Sequence, residues 1–151
     1  MAIAAILILI MLIGGRIVPS FTRNWLSREN PGRLPLPFGR FDMMSIAMSA
    51  AALCLWVVVL EGPWTGTVLC AAGVLQCVRL VRWAGERTAS ERLVFILHIA
   101  YAFVPLGFVL AELTAFGVVP PSAGVHAWMA GAAGTMILAV MTRGQSRPYR
   151  P

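Results

Sequence analysis

The 151-residue chain is 59% hydrophobic and only 12% charged, with a mean hydropathy of +0.81. Soluble domains carry roughly a quarter of their residues as charged side chains, so this composition excludes a soluble domain and indicates an integral membrane protein. The net charge of +6 comes from arginines spaced between apolar runs. That spacing is typical of membrane loops and argues against a nucleic-acid-binding face.

The apolar runs have the length needed to cross a bilayer and predict an all-α, polytopic membrane helix bundle. The first helix is expected to end at Pro19, because proline cannot continue the helical hydrogen-bond ladder, and Ser20–Arg40 is expected to form a polar loop. The predicted helices are Met1–Val18, Phe41–Leu60, Thr65–Trp83, Arg92–Ala115 and Val125–Thr142. We therefore expect one transmembrane domain at residues 1–143 and a short, basic, disordered cytoplasmic tail at residues 144–151.

The arginines set the expected topology. All twelve fall near the loops after helices one, three and five. Because arginine-rich loops stay in the cytoplasm, the N-terminus is predicted to lie outside.

Helix four carries Pro105 and Gly107 in its middle, which predicts a kink. Discontinuous helices often line substrate paths, so a transporter or permease fragment without a metal cofactor is an alternative function.

Ionisable residues inside spans are functional candidates by default, and the two histidines qualify. His98 lies about two turns into helix four, roughly 9 Å deep, whereas His126 lies at the outer end of helix five. Since their depths should differ by about 15 Å, the two histidines are not expected to hold one metal ion. Each is a candidate axial haem ligand, or one member of a copper site that other helices complete, with a hydrogen-bonded or interfacial histidine as the alternative.

Two further side chains are candidates for a ligand or supporting role near His98. Met136 is expected to reach a similar depth from helix five, although methionine is also a common apolar filler. Tyr101 lies on the face of His98 and has a hydroxyl to offer, although a packed aromatic is the simpler interpretation. Small residues of helix five predict close helix packing or room for a flat cofactor. They are Ala127, Ala130, Gly131, Ala133 and Gly134.

Two boundary motifs carry a resemblance to a known family. They are Gly14–Asn24, reading Gly-Gly-Arg-Ile-Val-Pro-Ser-Phe-Thr-Arg-Asn, and His126–Met136 continuing to Met141-Thr142-Arg143. Together with Val78–Trp83 and Leu97–Ala102, they make nearly the whole chain resemble the NnrS family. Its members are multi-spanning proteins of the bacterial inner membrane, reported to bind haem and copper and linked to nitric-oxide stress during denitrification.

The resemblance implies that His98, His126 and Arg16 stand at family motif positions, with haem and copper as cofactors. It does not indicate which metal each histidine holds. Arg16 is a candidate for neutralising a haem propionate or a lipid phosphate, beside its ordinary role in setting topology. The expected function is a haem- and copper-binding membrane protein of the nitric-oxide response, and whether it is an enzyme stays open. Its expected partners are membrane lipids and either further transmembrane helices or a homo-oligomer.

The family is longer than this chain, so the sequence resembles a truncated or internal fragment, and a third alternative is an inactive piece. The tail also departs from the family, which usually continues after Met-Thr-Arg with Gly-His-Thr-Gly-Arg. A nucleotide sequence that encodes Gly-Gln-Ser-Arg-Pro-Tyr-Arg-Pro can also encode the family motif in the neighbouring frame. When one G is removed directly after the Arg143 codon, the allowed codons read Ala-Ser-Arg-Gly-His-Thr-Gly-Arg.

We therefore predict a one-base frameshift after Arg143. Sequencing the gene should show a neighbouring reading frame that encodes the histidine motif. A neighbouring frame without that motif would contradict the prediction.

Overall fold

The computed structural model describes residues 1–30, 32–59 and 62–145, and these residues form helices, turns and loops but no strand. The helices are α1 (Ala2–Glu29), α2 (Arg40–Val59), α3 (Pro63–Val81), α4 (Arg92–Ala115), α5 (Ser122–His126) and α6 (Thr135–Gln145). A 3-10 turn at Gly85–Thr88 precedes α4, and a π-helical segment at Ala127–Gly134 joins α5 to α6.

Five segments of the described chain are long and apolar enough to cross a membrane, which confirms the all-helical, five-span architecture. Most large side chains on the outside of the bundle are apolar, as suits a surface that faces lipid. The orientation of the N-terminus stays a prediction. The expected tail at residues 144–151 falls outside the described residues from position 146 onward, as do Leu60 and Glu61 near the expected end of helix two.

The predicted end of the first helix at Pro19 is wrong, because α1 continues through a buried Pro19 to Glu29. Proline removes a single backbone donor, and an interior proline is tolerated in a membrane helix when neighbouring groups satisfy the freed backbone. The polar connection is therefore shorter than Ser20–Arg40. Arg23 and Arg28 lie on α1, and Arg40 begins α2.

The fourth helix is the centre of the bundle and packs against α3, the fifth span and α1. It forms one uninterrupted helix through Pro105, with the bounds predicted from the sequence. The broken helix that would favour a transporter is therefore absent from α4, and the kink angle stays a prediction.

Gly131, one of the small residues expected to allow close packing, lies against α4, because a Cβ there would overlap the Phe103 ring. Gly124, which precedes the helix predicted from the sequence, packs just as closely. A Cβ atom on Gly124 would lie 3.0 Å from the carbonyl oxygen of Gly107 and 3.1 Å from the backbone nitrogen of Ala111. The buried Trp128 indole fits over Gly107 and donates a 3.1 Å hydrogen bond to the carbonyl of Val104. The fifth span is thus fixed against α4 from its first turn onward.

We predict that Gly124→Leu separates the fifth span from α4, because the new side chain meets backbone atoms that cannot move aside. The free energy of unfolding in detergent should fall by about 1–3 kcal/mol. Gly62→Ala serves as the control, since a Cβ there has no neighbour within 4 Å. Equal stability of the two variants would contradict the packing described.

Candidate functional site: a buried arginine network beside His98

Arg79 of α3 is completely buried between the helices and is fixed by three hydrogen bonds. Its Nε donates to Asp42 Oδ1 at 2.8 Å, forming an ion pair with the first turn of α2. Its Nη1 donates to the carbonyl of Met11 at 3.0 Å and to the hydroxyl of Tyr101 at 2.8 Å. One guanidinium therefore joins α1, α2, α3 and α4.

The room for this guanidinium comes from Gly15. A Cβ atom on Gly15 would overlap Arg79 Nη2, so the glycine allows the charged group to lie directly against the backbone of α1. Aromatic rings surround the group, with centroids 5.4 Å away at Trp83, 5.8 Å at Phe38 and 5.9 Å at Tyr101. Nη2 itself has no hydrogen-bond partner among the described residues, so its charge rests on the rings and on Asp42.

The network continues from Tyr101 across the bundle. The Tyr101 hydroxyl donates to Gln76 Oε1 at 2.7 Å, and the Gln76 amide donates to Ser49 Oγ at 2.8 Å. Ser49 in turn donates to the carbonyl of Ser45 at 2.8 Å. We call this chain from Asp42 and Arg79 through Tyr101 to Ser49 the Arg79 network.

The sequence does not predict this site, because Arg79 falls among the arginines near the loop after helix three and Asp42 lies at the start of helix two. A usable signal was present, since Asp42, Ser45 and Ser49 follow helical spacing on one face of α2. A polar stripe along a membrane span indicates an interior face. Arg79 is therefore enclosed between the helices rather than exposed in a loop.

His98 lies next to the network and has a defined orientation. Its Nδ1 is 2.9 Å from the carbonyl oxygen of Val94, and because a carbonyl only accepts, Nδ1 carries the proton. Nε2 faces Thr22 Oγ1 at 3.4 Å, but the Thr22 hydroxyl donates at 2.8 Å to the carbonyl of Val18. The imidazole also contacts the backbone of Trp83, and a Cβ on Gly85 would lie 3.0 Å from Nε2, so this nitrogen is enclosed by its neighbours.

Trp83 connects His98 to the Arg79 network. Its ring centroid is 6.3 Å from that of His98 and 4.5 Å from that of Tyr101. The Tyr101 hydroxyl already bonds Arg79 and Gln76, so it is not free to support His98 as the sequence suggested.

A side pocket of about 250 Å³ opens beside His98 between α3, the 3-10 turn and α4. We call it the His98 pocket. Most of its wall is apolar, with Glu86 as the one charged residue that lines it within the described chain. The other lining residues are Leu80, Val81, Gly85, Phe95, Ile99 and Ala102.

His126 lies at the other end of the bundle, on an exposed face of α5. Its Nδ1 is 2.9 Å from the carbonyl oxygen of Ser122, so Nε2 again is the free nitrogen. Gly124, two residues before His126, packs beside Gly107 and Ala111 of α4. These contacts lie about ten residues, or about 15 Å, along α4 from His98. Among the described residues no three His, Cys, Asp or Glu side chains form a group suited to a metal ion.

The remaining candidates lie elsewhere. Met136 is half-buried, with its Cε 3.3 Å from where a Cβ on Gly14 would lie, close to the Tyr101 ring. Arg16 is exposed on α1, and its guanidinium stacks 5.0 Å above the ring centroid of Phe38. Arg16 does not line the His98 pocket.

Comparison with known proteins gives one match. A family model described as NnrS protein matches residues 1–145 of this chain. No curated protein and no solved structure matches it.

We predict that Asp42→Asn leaves the Arg79 guanidinium uncompensated inside the bundle. The free energy of unfolding in detergent should fall by about 3–5 kcal/mol, as when one partner of a buried ion pair is removed. The double variant Asp42→Leu/Arg79→Met should lose much less free energy of unfolding, because no unpaired charge remains inside the bundle.

The matched control is Glu86→Gln, which breaks the exposed ion pair with Arg33 at 3.2 Å. This substitution should lower the free energy of unfolding by no more than about 1 kcal/mol. If Asp42→Asn and Glu86→Gln lowered the free energy of unfolding by similar amounts, burial would not strengthen the ion pair between Arg79 and Asp42.

Proposed function

The chain belongs to the NnrS family, the membrane proteins of the nitric-oxide response, and on that basis we propose that it binds haem through His98. The observation that carries the proposal is the orientation of the imidazole. Val94 accepts the Nδ1 proton, so Nε2, which faces Thr22 of α1, is the nitrogen that would act as the ligand. Metal-ligating histidines commonly use such a backbone carbonyl to fix the tautomer and the ring orientation.

The donor set favours haem over copper at this position. Haem iron receives four nitrogens from the porphyrin and needs only one imidazole from the protein, as in globins and peroxidases. A protein copper site is built from several side chains. His98 contributes one buried imidazole among aromatic and aliphatic neighbours, which suits the first case.

The surface around His98 is apolar, as contact with a porphyrin face requires. The pocket is smaller than most ligand sites, which measure about 300–1,000 Å³, so a porphyrin would extend beyond it. Exposed apolar side chains of Val81, Phe95 and Ile99 border the opening and offer that surface. Haem would supply the iron chemistry, while the chain would provide the ligand and a water-poor environment.

His126 is proposed as a ligand of a second metal, copper, at the opposite end of the bundle. Its Nδ1 is fixed by Ser122 in the same way as that of His98. It supplies one exposed imidazole, so the remaining copper ligands would come from outside the described residues. Because Arg16 does not line the His98 pocket, we do not assign it to a propionate of the haem on His98.

We predict that haem added to the purified protein in detergent gives a Soret band that His98→Ala loses. Removing the axial nitrogen leaves only apolar contacts, and exogenous imidazole should restore the band by filling the space. His126→Ala is the matched control. It should keep the Soret band and lower the bound copper that elemental analysis detects.

Each variant must elute as a monodisperse species for the comparison to count. A Soret band that persists unchanged in monodisperse His98→Ala would contradict the axial assignment. If His126→Ala lost the Soret band instead, His126 rather than His98 would be the haem ligand.

A further inference from the structure

An open groove of about 300 Å³ lies between α1 and the connection that precedes α2. We call it the arginine groove, because Arg16 and Arg23 are its charged residues. The other lining residues are Pro19, Ser20, Pro35, Leu36, Pro37 and Phe38. We propose that this groove binds the phosphate headgroup of an anionic phospholipid.

The two arginines are arranged to converge on one ligand. They are seven residues apart on a continuous helix, so they project from the same face, with Ser20 between them. Neither forms an ion pair within the described chain, and the groove has no acidic residue in its lining. The double positive charge therefore faces outward without internal compensation.

Phe38 holds one of these cations in place. Its half-buried ring also lines the groove, and the Arg16 guanidinium stacks 5.0 Å from the ring centroid. A stacked guanidinium loses less freedom on binding, and its planar fork matches phosphate oxygens in a bidentate manner.

The neighbouring surface points to an amphiphilic ligand rather than a free anion. A second groove of about 260 Å³ runs along α1 toward its N-terminus, between α1 and the fifth span, and its lining is apolar. It reaches from Ile6 to Ile13 and Gly14 on α1, and Ile13 is one helical turn from Arg16. A phosphate at the arginines thus has space for an acyl chain beside it.

This inference is independent of haem binding at His98, because the arginine groove and the His98 pocket share no residue. The positions along α1 agree with the site expected for a headgroup. The apolar residues before Gly14 suit hydrocarbon, and the arginines follow where the interface should begin.

The test is native mass spectrometry of the full chain in detergent, titrated with phosphatidylglycerol or with zwitterionic phosphatidylcholine. The double variant Arg16→Gln/Arg23→Gln should bind phosphatidylglycerol roughly twenty-five-fold more weakly, at about fivefold per arginine. Phosphatidylcholine should bind weakly to both proteins. The single variants, each expected to lose about fivefold, provide the test if the double variant does not fold.

The matched control is Arg28→Gln/Arg92→Gln, which removes the same charge from exposed positions outside the groove. An equal loss of phosphatidylglycerol in this control would overturn the site, since it would show attraction by net charge alone. Competition by inorganic phosphate at equal concentration would make it a free-anion site. Loss of haem from the Arg16/Arg23 variants would assign the arginines to a propionate.

Discussion

A positive charge that is completely buried between membrane helices has to be neutralised where it lies, because no solvent reaches it. Arg79 meets this requirement with Asp42, the carbonyl of Met11, the hydroxyl of Tyr101 and a surround of aromatic rings. Each partner belongs to a different helix. The buried guanidinium therefore constrains the positions of α1, α2 and α4 around α3 at once, in addition to the non-directional packing of apolar side chains.

The double glycine of α1 acquires a structural role from this constraint. Gly15 lies against Arg79, and Gly14 lies against Tyr101 and Met136, so the first helix approaches the network through its backbone. The motif that marked the membrane boundary in the sequence is thus also the place where α1 makes room for the charge. The proposed ligand nitrogen of His98 lies beside the same assembly, with Trp83 in contact with both.

The sequence was sufficient for the helical class, the number of spans and the bounds of α4, because long apolar runs identify membrane helices without knowledge of their neighbours. It was insufficient for Pro19, where the outcome depends on what satisfies the backbone around the proline. It was also insufficient for the Arg79 network, since the partners Asp42, Arg79 and Tyr101 are far apart in the chain. The separation of His98 from His126 was accessible from helix geometry alone, whereas the alignment of each Nδ1 with a carbonyl depends on side-chain conformation.

Phe38 contacts an arginine outside the groove as well as one that lines it. Its ring is in contact with two guanidiniums, since the Cζ of Arg16 lies 5.0 Å and the Cζ of Arg79 5.8 Å from its centroid. Arg16 is exposed and Arg79 is completely buried, so one ring contacts an exposed cation and a buried one. Coulomb attraction is several-fold stronger where solvent is excluded. By covering Arg79, an aromatic side chain of a surface connection helps to keep solvent away from the ion pair between α2 and α3.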